Sequence, residues 1–434
     1  MLSQRIEVES SFRDVDSKVW SDGQTIFRDI MPSYFQSYGR LMRSGLYEEL
    51  VAMGLLIPHL ELGRDNGVLT VVPRKVAFIS YPYEWSFSSL QEAADVTLEI
   101  NRIALRHGMI LKDASAFNIQ YIDGRWKLID TTSFEIYKEG TPWRAFGQFT
   151  RHFLLPLVLA HYRRPSYLKS LMWNIDGLPV LETIKELPIR SRFNFGCALF
   201  VHAFRVFKDG AKERTINKVY LDSFLSRLQS YIRGLKPTRE TVWADYEPDL
   251  DYVNIKKKIV WQALIGNGTV GDLGANTGEF SRMALMARGL DEVVAVDKDH
   301  DCVERMCNSG ILPLVVDLAN PTPAIGWGNT ERLSFLQRAK FDTVLFLAMI
   351  HHLCIGNNIP LIKVAGQLST MVRKRLIIEF IPLEDEKAQI LSKDRVFPPY
   401  SETIFEEAFG RYFTLEHKTK LGSLCRKLYI YSTR

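Results

Sequence analysis

The sequence predicts an α/β protein: a parallel sheet with helices on its faces in the C-terminal half, preceded by an α+β domain rich in helices. Three observations predict it. Residues 270–301 read as strand, glycine-bearing turn, helix, strand and acid. FDTVLFLAMI from Phe341 and RLIIEFI from Arg375 are unbroken apolar runs, the signature of parallel strands buried on both faces. The chain then closes on FTLEHKTKL, Gly422 and SLCRKLYIYS, two strand-like runs joined tightly. With the further strand ILPLVVD before these runs, five parallel strands and a closing hairpin make seven.

Composition sets the bounds. The 434 residues suffice for two domains, and 46% hydrophobic with 24% charged residues is ordinary for a globular protein. A net charge of +5 is mild for this length and does not itself argue for a nucleic-acid partner. Five scattered cysteines form no C-x-x-C pair, so neither a zinc site nor a disulfide framework is indicated, and a reducing cytoplasm is expected. The N-terminus, MLSQRIEVESSFRD, lacks the apolar core of a signal peptide.

Along the N-terminal half, GQTIFRDI predicts a strand and residues 33–54 a helix. VAFISYPYEWSF predicts a further strand and a connector. Residues 104–134 predict a helix, a turn, the pattern D-x-x-x-x-N at Asp113 and Asn118, a hairpin around Asp123-Gly124, and a strand leading to Asp130. Apolar periodicity predicts helices over 143–207, and the most apolar run, FLLPLVLA from Phe153, is too short to span a bilayer. His152, His161 and His202 lie in these helices without ligand spacing to carboxylates, so they are read as packing or surface residues and no metal is expected.

A boundary falls near 208–240, where Gly210, Gly234 and Pro237 break the chain. Between them VYLDSFLSRLQSYI is amphipathic at helical spacing. Eight Lys/Arg against three acids from Lys208 to Arg239 make the segment basic, which suits a solvated helix face better than an RNA-binding surface. The expected domains are 1–207, a basic helical linker at 208–240, and 241–434.

The C-terminal domain holds the strongest signal. A strand over 270–273 leads into Gly274, Asn276 and Gly278. A helix over 279–288 follows, then a strand over 292–296 ending at Asp297. The turn after the first strand of a βαβ unit lies where ligands bind, and glycines there admit close backbone approach. The acid Asp272 precedes the first glycine, which suits an ammonium group rather than a pyrophosphate. Asp297 suits ribose hydroxyls. Asp317, ending the next strand at ILPLVVD, suits an adenine amino group. Three acids on three successive strand ends fit adenosine carrying an amino acid.

These residues resemble the class I S-adenosylmethionine-dependent methyltransferases over about residues 240–434, with Asn276 standing where many members carry the middle glycine. The resemblance implies a seven-stranded Rossmann-like sheet, S-adenosylmethionine as cofactor, and a cofactor set of Asp272, Gly274, Asn276, Gly278, Asp297, Asp317 and Ala348. It implies methyl transfer to an acceptor beyond the fourth and fifth strands. A small-molecule oxygen or nitrogen acceptor is expected, with RNA and protein as alternatives. His351 and then His352 are candidate general bases, with Glu379 near them. The histidines have a plainer reading as pocket-shaping residues. Tyr246, in VWADY, is a candidate lid residue.

Residues 78–135 resemble the catalytic segment of protein kinases and small-molecule phosphotransferases, with Asp113, Asn118 and Asp130 matching the positions that orient an acceptor and bind magnesium. The departures are large. No glycine-rich phosphate loop precedes residue 75, and Arg28 stands at best where a lysine belongs. Leu111 replaces a histidine, and Thr131-Thr132 follow Asp130. A kinase-like accessory domain without phosphotransfer is expected. The alternatives are a bifunctional enzyme that also phosphorylates with ATP and a non-enzymatic nucleotide-sensing or scaffold protein. Taken together, SSFRD, ISYPYEWSFS, LKDASAFNIQ, IDTTSFE, ETVWADY and DLGANTG resemble the rhizobial host-specificity nodulation proteins of NoeA type and their methyltransferase relatives.

Overall fold

A computed structural model describes residues 6–202, 216–238, 250–264, 268–287, 290–422 and 425–434. Two compact units divide the chain: residues 1–239 with 325–332, and residues 240–324 with 333–434. Among the described residues no helix is long and apolar enough to cross a membrane.

The first unit opens with an antiparallel sheet of β1 (Ile6–Glu7), β2 (Ser17–Ser21), β3 (Ile26–Ile30), β4 (His59–Asp65) and β5 (Val68–Pro73), in the order β1-β2-β3-β5-β4. Turn chemistry builds it. Asp22 Oδ1 accepts from the amides of Gln24 (2.9 Å) and Thr25 (2.7 Å), closing β2 onto β3. Asn66 and Gly67, with φ of 48° and 80°, close β4 onto β5 in the left-handed conformations that a two-residue hairpin requires. Two helices, Phe35–Arg43 and Leu46–Ala52, lie between β3 and β4.

The long helix Phe87–Arg106 follows, its first turn capped by Ser86, and buries one face. It leads to β6 (Met109–Leu111), to the hairpin β7 (Ile119–Ile122) and β8 (Arg125–Leu128) around Asp123-Gly124, and to β9 (Phe134–Ile136), which pairs with β6. The stretch VAFIS, expected as a strand, lies outside any ladder; Ser80 instead gives its amide to Gln120 Oε1 at 2.8 Å. Prolines cut the helical region after 143 into short pieces. Pro165 starts one, while Pro179 and Pro188 precede two more. Pro156, which has no N–H to give, follows a π-helical stretch, Thr150–Leu154.

Within the segment 208–240, expected as a linker, residues 216–238 are described. The helix Lys218–Gly234 packs on Phe87–Arg106: Arg102 pairs with Asp222 (2.9 Å), Arg233 with Asp95 (2.5 Å), and Gln91 caps the Ile232 carbonyl (2.6 Å). Its amphipathic pattern is the docked face of a helix that belongs to the first unit.

The second unit is one sheet of seven strands: β10 (Gly268–Leu273), β11 (Leu290–Asp297), β12 (Leu312–Val315), β13 (Phe341–Phe346), β14 (Val372–Phe380), β15 (Phe413–Lys420) and β16 (Lys427–Thr433). Their order is β12-β11-β10-β13-β14-β16-β15. β10 to β14 run parallel, and β16 is antiparallel to both its neighbours. Val270, Val293, Ala295, Leu345 and Ile377 fill the core on the sheet, as their apolar runs require. Successive strands are laid down outward from β10 on one side through β11 and β12, and on the other through β13 and β14. The C-terminal ends of β10 and β13 therefore form a topological switch point, which in open α/β sheets is where ligands bind.

Candidate functional site

Around this switch point the backbone is bent into conformations that favour glycine and asparagine. Gly274, Asn276 and Gly278 have φ of 89°, 50° and 80° before the helix Glu279–Met286 begins. Asparagine is among the few residues with a side chain that visit this region readily, so Asn276 keeps the turn without a middle glycine. Gly274 is required for a second reason: a Cβ there would stand 2.1 Å from Met349 Cγ, in the loop after β13. That loop is itself strained, because Ala348 has φ of 54°.

The turn is tied to the end of β11. The amides of Gly274 and Ala275 reach the Val296 carbonyl at 2.7 and 2.9 Å. Asp297 Oδ2 accepts from the Asn276 amide at 2.9 Å, and its Oδ1 accepts from the Asp299 amide at 3.0 Å. Burial pushes the Asp297 carboxyl up, against the amides that hold it down. The Val316 amide reaches the Asp297 carbonyl at 2.9 Å, so the strand end carrying Asp317 is joined to the same place. Asp317 is half-buried and closes its own turn by accepting from the Ala319 amide at 2.9 Å.

Asp272 behaves differently. It is 2% exposed and accepts from Ser281 Oγ at 2.6 Å. Burial pushes its pKa up to about 6, more than Ser281 lowers it.

Past β13 stand the two histidines. His351 is 4% exposed, and its buried Nδ1 has no hydrogen-bond partner among the described residues. Its ring lies 4.1 Å from that of His352, centroid to centroid. Burial, the neighbouring His352 and the charge of Arg426 hold His351 well below the usual imidazole range. Burial and then Lys298 lower His352. Both shifts favour the neutral imidazole.

Glu379, on β14, has no exposed surface. Tyr252 and Lys256, one turn apart on the helix Leu250–Leu264, bind its two oxygens: the Tyr252 hydroxyl takes Oε1, and Lys256 Nζ takes Oε2 at 3.1 Å. Arg426 gives one nitrogen to Tyr252 Oη (3.3 Å) and two to Asp385 (2.7 and 3.2 Å). The carboxylate of Glu379 is thus part of a buried ionic network. Sequence reasoning missed Tyr252, Lys256, Asp385 and Arg426. The i,i+4 spacing of Tyr252 and Lys256 was the only local signal, because the network joins four separate elements. Tyr246 lies outside the described residues.

In the first unit, Asp113, Asn118 and Asp130 also meet. Asn118 Nδ2 approaches Ser133 Oγ at 3.4 Å, and Ser133 Oγ gives its proton to Asp130 Oδ2 at 2.6 Å. Burial and the charge of Asp130 raise the Asp113 carboxyl. His152 is buried edge-on against Phe117 and pushed down to about 4 by burial. His161 bonds the Lys236 backbone, and the side chain of His202 lies outside the described residues. Among the described residues, no group of three His, Cys, Asp or Glu side chains is placed to hold a metal ion.

No family model matches the chain. Among solved structures, it is similar to a SAM-dependent methyltransferase from Aquifex aeolicus, at 16% identity over 43% of this chain and all of that one, with a TM-score of 0.28. It is similar to the methyltransferase domain of a bacterial Hen1 at 14% identity, over 42% of this chain and 97% of that one, also with a TM-score of 0.28. Among curated proteins, it is 30% identical to the nodulation protein NoeA of Rhizobium meliloti (strain 1021), over 98% of this chain and 95% of that one. With that identity over nearly its whole length, the chain belongs to the family of the nodulation protein NoeA.

Proposed function

We propose that this protein is an S-adenosylmethionine-dependent methyltransferase acting on a small-molecule oxygen or nitrogen acceptor. The observation that carries the reading is the left-handed Gly274–Gly278 turn at the switch point, with Asp297 bonded directly to it, Asp272 near the end of β10 before it and Asp317 just beyond β12. The residues fit the cofactor. Asp297 would take the ribose hydroxyls and Asp317 the adenine amino group. Asp272, a buried carboxylate with a raised pKa, would face the ammonium end. When bound, S-adenosylmethionine supplies an electrophilic methyl group on a sulfonium sulfur.

The chain's own residues do the rest. His351 is buried, its surroundings favour the neutral ring, and its Nδ1 has no hydrogen-bond partner among the described residues, so it is the group best prepared to take a proton from an acceptor. His352 lies against it, with ring centroids 4.1 Å apart and the ring planes tilted by 39°. Glu379 is too enclosed to touch an acceptor, and its place is to hold β14 against the Leu250–Leu264 helix. Ala348, strained beside Met349, shapes the floor of the cofactor site.

We further propose that the first unit is a kinase-like accessory domain. Its five-stranded antiparallel sheet with helices between β3 and β4, followed by Asp113, Asn118 and Asp130 around Ser133, supports that likeness.

Calorimetric titration with S-adenosylmethionine tests the main reading. Binding that is lost in Asp297→Ala is expected. Transfer of a labelled methyl group to the small-molecule fraction of a cell extract is the second expectation. Labelling of the RNA or protein fraction would replace the acceptor class, and absence of cofactor binding would remove the reading.

A further inference from the structure

We propose that the N-terminal unit has a guanidinium built into the place a divalent cation would take: Arg28 neutralises Asp130 permanently, and the unit binds no magnesium–ATP. The inference rests on the kinase-like reading of this unit, which implies such a ligand at Asp113, Asn118 and Asp130.

The residues present do not fit that ligand. Arg28 projects from the middle of β3, where Val19 and Val71 flank it on the neighbouring strands. Its Nη1 pairs with Asp130 Oδ1 and also reaches Thr132 Oγ1 (3.0 Å) and Ser17 Oγ (3.2 Å). Thr132 adds two more donors to Oδ1, its amide at 2.9 Å and its hydroxyl at 2.7 Å. Ser133 Oγ takes Oδ2 at 2.6 Å. Four donors therefore meet one carboxylate, which offers roughly four acceptor positions in all.

Magnesium demands a near-ideal octahedron of oxygens and surrenders its waters reluctantly. Here it would have to displace a guanidinium and hydroxyl donors, and would meet a like charge while doing so. The neighbouring cation is engaged too, since Lys112 pairs with Asp16. Asp113 Oδ1 accepts from the Ser115 amide at 2.9 Å. Burial acts to raise the Asp130 carboxyl, but Arg28, Ser133 and Thr132 outweigh it and hold the group below the usual range.

The test uses the full chain. Melting temperature is followed with ATP, with MgCl2, and with both, for the natural protein and for Arg28→Met, with NaCl at matched ionic strength as control. For the natural protein, magnesium with ATP is expected to give no shift beyond that of either alone. Arg28→Met should melt lower, because it leaves the buried Asp130 carboxylate without a counter-charge, and MgCl2 should restore part of the loss where NaCl does not. A magnesium-dependent ATP shift in the natural protein, absent in Asp130→Asn, would overturn the proposal even if Arg28→Met failed to fold. So would an Arg28→Met protein as stable as the parent. S-adenosylmethionine titration of the same proteins reads the methyltransferase site separately.

Discussion

The backbone amide of Asn276 donates to the carboxylate of Asp297 across 2.9 Å, joining the turn after the first strand of the second unit to the acid that ends its neighbour. Asp297 is therefore both a ligand candidate and a structural part of the turn. Any change at this position acts on the two together.

Asp297→Asn keeps an acceptor for the Asn276 amide but removes the charge. It should fold, and should bind S-adenosylmethionine more weakly by about 1.5–3 kcal/mol, the worth of hydrogen bonds to a charged group. Asp297→Ala should also lose stability by about 1–3 kcal/mol, because a partly buried amide loses its acceptor. Calorimetry and urea denaturation of the two variants separate these effects. Equal affinity in all three proteins would place the ligand elsewhere.

The pKa of Asp272, raised to about 6 from the ordinary 3.8, sets a stability window with a definite sign. A folded-state pKa above the unfolded value contributes stability that is full below about pH 4 and is lost as pH rises through about 6. Compared with Asp272→Asn, the natural protein should lose on the order of 3 kcal/mol between pH 4 and pH 7. A bound ammonium would favour the ionised acid, so S-adenosylmethionine affinity should rise over the same window. Urea midpoints that track each other at every pH would contradict this.

His351, held well below the usual imidazole range, should leave the rate of methyl transfer flat from pH 7 upward and let it fall only under acid conditions. His351→Ala should cost about 10²–10⁴-fold in turnover while sparing cofactor binding. A pH profile with a midpoint near 6.5 or above would assign the proton transfer to another group.

Lys256→Met leaves Glu379 charged in a site with no exposed surface, and should destabilise the protein by about 3–5 kcal/mol. Lys256→Met combined with Glu379→Leu should recover much of that loss. Additive effects in the double-mutant cycle would show that the pair is not coupled.

Much of the second unit was legible in the sequence because its signals are local. Period and apolarity marked β10 to β14, and Asp272, Gly274, Asn276 and Gly278 fall within seven residues across the end of β10 and the turn after it. The departure at Asn276 is explained by its φ of 50°, which asparagine adopts without the penalty other side chains meet. The Asp123-Gly124 hairpin rests on the same kind of short-range chemistry, and so does the Asn66-Gly67 turn, which the sequence reading did not pick out.

What the sequence could not contain are relationships between distant residues. Nothing near Glu379 announces Tyr252, Lys256 or Arg426, and although the kinase resemblance singled out Arg28, nothing in the sequence showed that it pairs with Asp130, 102 residues away. In the second unit the sequence by itself determined which segments become strands and which form the turn after β10, since backbone conformation and hydrophobic periodicity act within a few residues, whereas VAFIS in the first unit did not become a strand. Only the tertiary structure decided which candidate acids are accessible and which are neutralised. Desolvation and charge pairing depend on what other elements the fold brings against a side chain, and those same contacts make Asp297 part of the turn after β10, Glu379 a buried ion and Asp130 the partner of an arginine.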